Sequence, residues 1–345
     1  MAAGCADRKP NANAAVSSGT RSIDLLPSAG VLLLLLGWPP VAAPADIYLR
    51  VFGLACFYGA LALAWNLVAL TGLLSLGHAA FFGMGAYGAA LADHYWQLPP
   101  FAAIGIGAIL GAAYGGLWMA TFRRLRGAAF ALATLASVEI PKVIIDNWDA
   151  FTFGSLGVVG ISRLPTLDLG GRVLDFGTSL TAQYYLLLLF LVVVGGFHFA
   201  ALHSRWGWAI RAVREDETAA AALGVNVPAV RAQALLLSAL LTALGGGLYA
   251  HLMGLIEPPL VFSLHLSALP LVLTIFGGRY RAFGPVLGAL VLYPADQLLF
   301  HRWLPSGHAL LYGLVIVIAL LFCPRGIAAW LSWNRRSAWK SKTSG

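Results

Sequence analysis

Long apolar runs separated by short polar connectors fill most of the chain. YYLLLLFLVVVGGF at 184–197 is typical: it is continuous rather than alternating, and it offers no polar face at helical spacing. A hydrocarbon core of about 30 Å takes roughly 20 apolar residues as a helix, and only helices or closed barrels satisfy every backbone group there. Barrel strands would appear as short alternating segments of about ten residues, so the pattern predicts helices. Candidate spans fall at 28–43, 47–70, 72–92, 99–122, 127–145, 180–202, 231–255, 262–278, 283–302 and 307–323. The expected class is therefore all-α, a polytopic membrane bundle of about ten helices over 28–323.

One segment breaks the pattern. RAVREDETAAAALGVNVPAVR at 211–231 sits inside a polar stretch, 203–230, that is too charged to enter a membrane. It predicts an exposed helix with Glu215, Asp216 and Glu217 in its first turns, where the helix dipole favours acids, and Gly224 as a left-handed C-terminal cap. Residues 1–27 are polar and expected to be disordered, and 324–345 form a basic tail. The run VLLLLLGWPP followed by Ala43-Pro44-Ala45 also fits a signal peptide's apolar region and cleavage site, which would leave nine spans.

Composition agrees with this picture: 59% of residues are hydrophobic, 10% are charged, and mean hydropathy is +0.80. The net charge of +8 is accounted for by topology. Inner loops of membrane proteins are rich in Lys and Arg. With both termini inside, the inner segments collect Arg123, Arg124, Arg126, Arg205, Arg211, Arg214, Arg231, Arg279 and Arg281 together with the terminal cations. The outer ones collect Asp46, Asp93, Asp146, Asp149, Asp168, Asp175 and Glu257. Cations spread over separate loops, not gathered in one stripe, do not point to nucleic acid.

Catalytic signals are few. None of the four lysines, Lys9, Lys142, Lys340 and Lys342, follows a glycine, which excludes a P-loop of the Gly-Lys type. Ser75 and His78 lie three apart on one expected helical turn, side by side and without a Gly-x-Ser-x-Gly elbow, which argues against a serine hydrolase. The histidines show no ligand spacing, and Cys5, Cys56 and Cys323 form no close pair, so neither a metal nor a cofactor is expected.

Glycine is the unusual feature. Gly72, Gly77, Gly83, Gly85 and Gly88 punctuate one span, and Gly277, Gly278 and Gly284 repeat the spacing with phenylalanine before the last glycine, as Phe82 stands before Gly83. Small residues allow close helix approach, and interrupted helices also build substrate sites. Glu139, in ATLASVEIPKVII, is an acid inside a span with Lys142 three residues on. Pro141 leaves the Ser137 carbonyl without its helical donor. An ion pair holding the bundle and a role lining a path both remain open for Glu139.

Four blocks together resemble the LivM-type permeases of branched-chain amino acid ABC importers: NLVALTGLLSLGHAAFFGMGAYGAAL at 66–91, LRGAAFALATLASVEIPKVIIDNWDAFTFGSLGVVGI at 125–161, WGWAIRAVREDETAAAALGVNVPAVR at 206–231 and LTIFGGRYRAFGPVLGA at 273–289. The chain departs from the family pattern in two places. Thr152-Phe153-Gly154-Ser155-Leu156-Gly157 replaces the usual T-G-G-x-N-G, and Tyr280 stands for the last glycine of G-G-x-G, both adding bulk near the expected path. The resemblance implies a non-catalytic translocation subunit in a bacterial inner membrane. It would pair with a second, LivH-like permease, two cytoplasmic ABC ATPase subunits and an extracytoplasmic binding protein. Glu217-x-Ala219-Ala220-x-x-x-Gly224 is similar to the segment that such permeases insert into the ATPase, with Arg211 and Arg214 beside it. Ser75, Gly77, His78, Phe82, Gly83, Glu139, Gly277 and Gly278 are the corresponding path candidates. Urea or short amides are alternative substrates, and an ion-coupled secondary carrier is the alternative from another class.

Overall fold

A computed structural model describes residues 25–42, 45–169 and 172–300, with isolated positions 302, 313, 314, 317, 321, 326 and 327 beyond them. The expected disordered segment 1–27 lies outside them apart from its last three residues. So do the basic tail, save Gly326 and Ile327, and nearly all of the span expected at 307–323.

Helices α1 (Leu25–Ala42), α2 (Asp46–Ala69), α3 (His78–Trp96), α4 (Pro100–Phe122) and α5 (Gly127–Asn147) come first. A peripheral region follows, with the short α6 (Asp149–Thr152) and strands β1 (Val158–Val159), β2 (Leu167–Leu169) and β3 (Arg172–Leu174). Next are α7 (Leu180–His203), α8 (Arg205–Glu215), α9 (Glu217–Ala222), α10 (Val227–Met253), β4 (Leu255–Ile256), α11 (Pro258–Val261), α12 (Leu264–Gly277) and α13 (Gly284–Ala295), the last running into a π-helical turn at Asp296–Phe300. Starts are encoded locally. Ser179, Ser204, Asn226 and Ser263 accept a backbone N–H of the first turn of α7, α8, α10 and α12, and Pro100 and Pro228 occupy first-turn positions where no donor is needed.

Among the described residues, six helices are long and apolar enough to cross a membrane: α2, α4, α5, α7, α10 and the run Pro258–Gly277. The expected count of about ten is not confirmed. The apolar part of α1, Gly30–Pro39, and the stretch Gly284–Phe300 are shorter helices, and the span expected at 72–92 becomes helical only at His78. Gly72 takes φ +86, and the chain from Thr71 to Gly77 is extended or turned instead.

Burial separates inner from outer helices. The apolar window of α2 is 83% buried, that of α5 and α7 only 33%. The inner set is α3 packed between α4 and α10, with α2 against α7 and α13. Close approach there depends on missing side chains. A Cβ added to Gly85 would sit on the Ala243 carbonyl, one added to Gly107 on the Gly85 carbonyl, and one added to Gly246 on the Phe82 carbonyl. Backbone therefore packs on backbone, the arrangement that small residues permit between membrane helices.

Polar contacts gather at the two ends of the bundle. At one end Arg126 pairs with Glu217, and Arg214, three residues earlier in the chain than Glu217, lies over the Tyr280 ring. At the other end Asp93 accepts from the backbone N–H and hydroxyl of Ser162 at 2.7 and 2.8 Å, and His251 Nδ1 lies 2.7 Å from the Ser162 carbonyl. Strands β1 and β4 pair antiparallel beside it, Val158 opposite Ile256, so the segment after α5 is tied to the end of α10. The span pattern left this segment as a connector, within the block whose Thr152–Gly157 stretch departs from the family pattern.

Candidate functional site

The polar segment is two helices, not one. Asp216 is extended at φ −154 and caps α9, its carboxylate accepting from the Thr218 and Ala219 backbone N–H groups. Those bonds, with the Thr218 hydroxyl as the strongest, hold its carboxyl below the usual range. The expectation that Glu215, Asp216 and Glu217 stand in the first turns of one helix is corrected: Glu215 ends α8 and pairs with Arg214, and only Glu217 is in the first turn of α9. A short polar side chain competing for backbone donors accounts for the break. Gly224 fulfils its expected role. It takes φ +87, its N–H donates to the Ala221 carbonyl, and the next N–H reaches Ala220.

Side chains divide this element into two faces. Ala220 is buried against α10 beside Ile210 and Val213, while Ala219 is exposed and Leu223 and Trp208 are 85% and 60% exposed. Glu217 faces inward. Its carboxylate takes both guanidinium nitrogens of Arg231 at 3.1 and 3.0 Å, and Arg126 at 3.0 Å. Arg211 donates to the Leu202 carbonyl at 3.1 Å and lies over the Trp208 ring; burial first and then Arg214 lower its pKa. Arg214 covers Tyr280 at 4.9 Å. Tyr280, expected to add bulk near the path, instead lies exposed at this end, between Arg214 and Arg279.

Because no atom lies within 4 Å of a Cβ built on Gly224, a side chain there meets only backbone strain. Left-handed geometry costs an L-residue about 1–2 kcal/mol, roughly 5- to 30-fold in an equilibrium, and a β-branched residue is penalised most. Gly224→Val is expected to leave the amount of folded protein unchanged and, on the coupling role that the family resemblance implies, to cut uptake several-fold, with Gly224→Asn, which tolerates the conformation, close to the parent. Equal uptake by the valine and asparagine variants would remove Gly224 from the coupling element.

The path candidates around the broken span are engaged in structure. Ser75 is not on a helical turn with His78, as expected, but in the irregular chain before it. Its carbonyl accepts from the Trp65 indole at 2.8 Å, and its hydroxyl accepts from Gly77 N–H at 3.3 Å. His78, fully buried, meets the Ser238 hydroxyl at 2.8 Å through Nε2. Thr134 accepts from Leu76 N–H and Ser267 from Ala79 N–H, each at 3.0 Å. Four elements thus supply the partners of one interrupted helix: α2, α5, α10 and α12. Ser238, Thr134 and Ser267 went unnoticed in the sequence; their signal was a lone hydroxyl within an apolar run, which in a membrane must find a partner.

Phe82 and Gly83 lie inside α3, where a Cβ on Gly83 would overlap the Phe262 ring, and a Cβ on Gly77 would press on Thr134 and Ser137. Gly277 and Gly278 instead end α12, with Gly284 starting α13, and the hairpin closes with Gly277 and Gly278 against the Gly284 backbone. The repeated glycine spacing therefore marks different places in the two halves.

Glu139 lies on the outward face of α5, its side chain 62% exposed and 3.5 Å from Lys142 Nζ. Leu132, Ile140, Val143 and Ile144 share this exposure. The Ser137 carbonyl, expected to be orphaned by Pro141, accepts the Tyr114 hydroxyl at 2.6 Å. Phe153, where the family pattern has glycine, takes φ +63 and packs on His94 with ring centroids 4.9 Å apart.

Residues 47–320 match the family described as "Branched-chain amino acid transport system / permease component". The chain is 29% identical to the high-affinity branched-chain amino acid transport system permease protein LivM of Escherichia coli (strain K12), over 86% of this chain and 73% of that protein. It is 26% identical to the corresponding LivH of Salmonella typhimurium, over 78% of this chain and 90% of that one. A nucleoside ABC transporter permease protein, NupC of Lactococcus lactis subsp. cremoris, is 25% identical over 53% of this chain and 58% of its own. No solved structure matches.

Proposed function

The chain belongs to the family of permease components of branched-chain amino acid transport systems, and on that premise we propose that it imports branched-chain amino acids at the expense of ATP hydrolysed on separate subunits. As a member of that family it is a multi-pass membrane protein and a translocation subunit of an ABC importer, not an enzyme. Its partners in the proposal are a second, LivH-like permease, two ABC ATPases below the α8–α9 end and a binding protein above the Asp93–Ser162 end. The proposed membrane is the bacterial inner membrane, with the arginine-rich end cytoplasmic, which the excess of Lys and Arg in inner loops supports.

The observation that carries the reading is the α8–α9 element. It is a capped, water-accessible helix pair that presents Leu223, Trp208 and Ala219 outward at the basic end of an otherwise apolar bundle. Exposed apolar side chains outside the membrane mark a protein contact. Reconstituted with its ATPases, permease partner and binding protein, the chain is expected to support uptake of leucine, isoleucine and valine only when ATP is supplied. Uptake unaffected by ATP would point to an ion-coupled carrier, and competition by urea, amides or nucleosides but not by leucine would replace the substrate.

The proposed path follows the outward face of α5. A charged side chain facing lipid at mid-span costs about 2.5–3.5 kcal/mol or more. Glu139 and Lys142 are thus on a face that meets water or the paired permease. Glu139→Gln, Lys142→Met and the double variant separate the two roles of the pair. With Glu139 on the path, Glu139→Gln assembles and loses most uptake, and the double variant is no better. Recovery of assembly and uptake in the double variant would make the pair purely structural.

A further inference from the structure

Glu217 holds two arginines by contacts of unequal strength. Arg231, on α10, is 10% exposed at its side chain and bound through both nitrogens, whereas Arg126 is 69% exposed and makes one contact. A buried bidentate pair resists separation because either charge left alone in a poorly solvated site is costly. An exposed pair is worth about 0–1 kcal/mol and opens readily. The carboxylate therefore fastens α9 to α10 and touches the α4–α5 connection only lightly.

That connection is built to pivot. Arg126 occupies the N-cap position of α5 without a side-chain cap bond, and Gly127 follows at φ +55 with no atom within 4 Å of a Cβ built on it. A cation at a helix N-terminus opposes the helix dipole. Glu217 offsets it, so α5 begins with a charge conflict that one carboxylate of α9 relieves. Only 33% of the apolar window of α5 is buried, so few packing contacts resist a tilt.

We propose that Glu217 is a positioning residue: anchored on Arg231, it carries displacement of the α8–α9 element to the start of α5 through the breakable contact with Arg126. This rests on the ATP-driven import proposed above. Movement of α9 away from Arg126 restores the unfavourable cation at the head of α5 and favours a new tilt of that helix; its return favours the first. Glu217 is then an internal lever, while Leu223 and Trp208 form the outer contact.

The test uses the complete complex in proteoliposomes and reads solute taken up per ATP hydrolysed, alongside the amount of assembled complex. Arg126→Gln is expected to assemble like the parent and to continue hydrolysing ATP, with the ratio reduced threefold or more; Arg126→Lys, which keeps the charge, restores most of it. A parental ratio in Arg126→Gln overturns the proposal. So does a ratio in Arg126→Lys as low as in Arg126→Gln, since charge would not be the agent. Failure of Arg126→Gln to assemble also overturns it, since the contact would then be structural. If the parent complex itself shows no ATP-driven uptake, the import reading fails and takes the lever with it.

Discussion

Replacing Gly85 with leucine is expected to remove nearly all folded permease from the membrane. Gly85 on α3 faces Ala243 on α10, and a Cβ there would meet backbone atoms that no rotamer change can move. Forcing extra methylenes into a packed interior costs about 1–3 kcal/mol, and more where main chain must shift. Here α10 would have to leave α3, and α4 would follow, because Gly107 packs on Gly85 itself. The measurement is the yield of monodisperse protein after detergent extraction. Gly105→Leu serves as the control, since no atom lies within 4 Å of a Cβ at Gly105. Comparable yields from the two variants would show that the α3–α10 approach is looser than described.

The second large effect is expected at Arg231. Glu217→Gln leaves the Arg231 guanidinium poorly solvated without its counter-charge, and Arg231→Met strands the carboxylate; breaking a buried pair typically costs about 3–5 kcal/mol. Arg126 remains as a partner for Glu217, so Arg231→Met is expected to be the milder of the two. The double variant recovers much of the assembled complex, because no unpaired buried charge remains. Thermal stability of the detergent-solubilised complex reads all three. A double variant no more stable than Glu217→Gln would mean that the carboxylate acts through a partner other than Arg231.

These residues mark what a sequence can and cannot reveal. Apolar runs long enough to span a membrane, the basic end, the exposed segment at 203–230 and the cap at Gly224 were legible because each is encoded within a few neighbouring residues. The break at Asp216 was missed since a helix pattern continues through it; only the competition of its carboxylate for backbone donors stops the helix. The opening of the span at 71–77 was missed for the opposite reason. Its sequence is apolar enough for a helix, and what holds the alternative is hydroxyls far away in the chain, such as Ser238 on His78. Glu217 was read as part of an outward docking face, and its inward turn follows from Arg126 and Arg231, which no local pattern joins to it. Glu139 was legible as half of an ion pair with Lys142, while its outward exposure depended on which neighbours α5 has.

The interrupted stretch from Thr71 to Gly77 has a consequence for the membrane around it. Bare amides and carbonyls strung through a span would draw in a thread of water, and protons would follow it, draining the gradient across the bilayer. Trp65 closes the Ser75 carbonyl and Thr134 the Leu76 N–H, Ser267 closes the Ala79 N–H in the first turn of α3, and Thr71, Leu73, Ser75 and Gly77 are buried. Irregular backbone at membrane depth persists only under such cover. The three side chains therefore act as insulation where they bind: the helix stays broken without leaving those groups open to water.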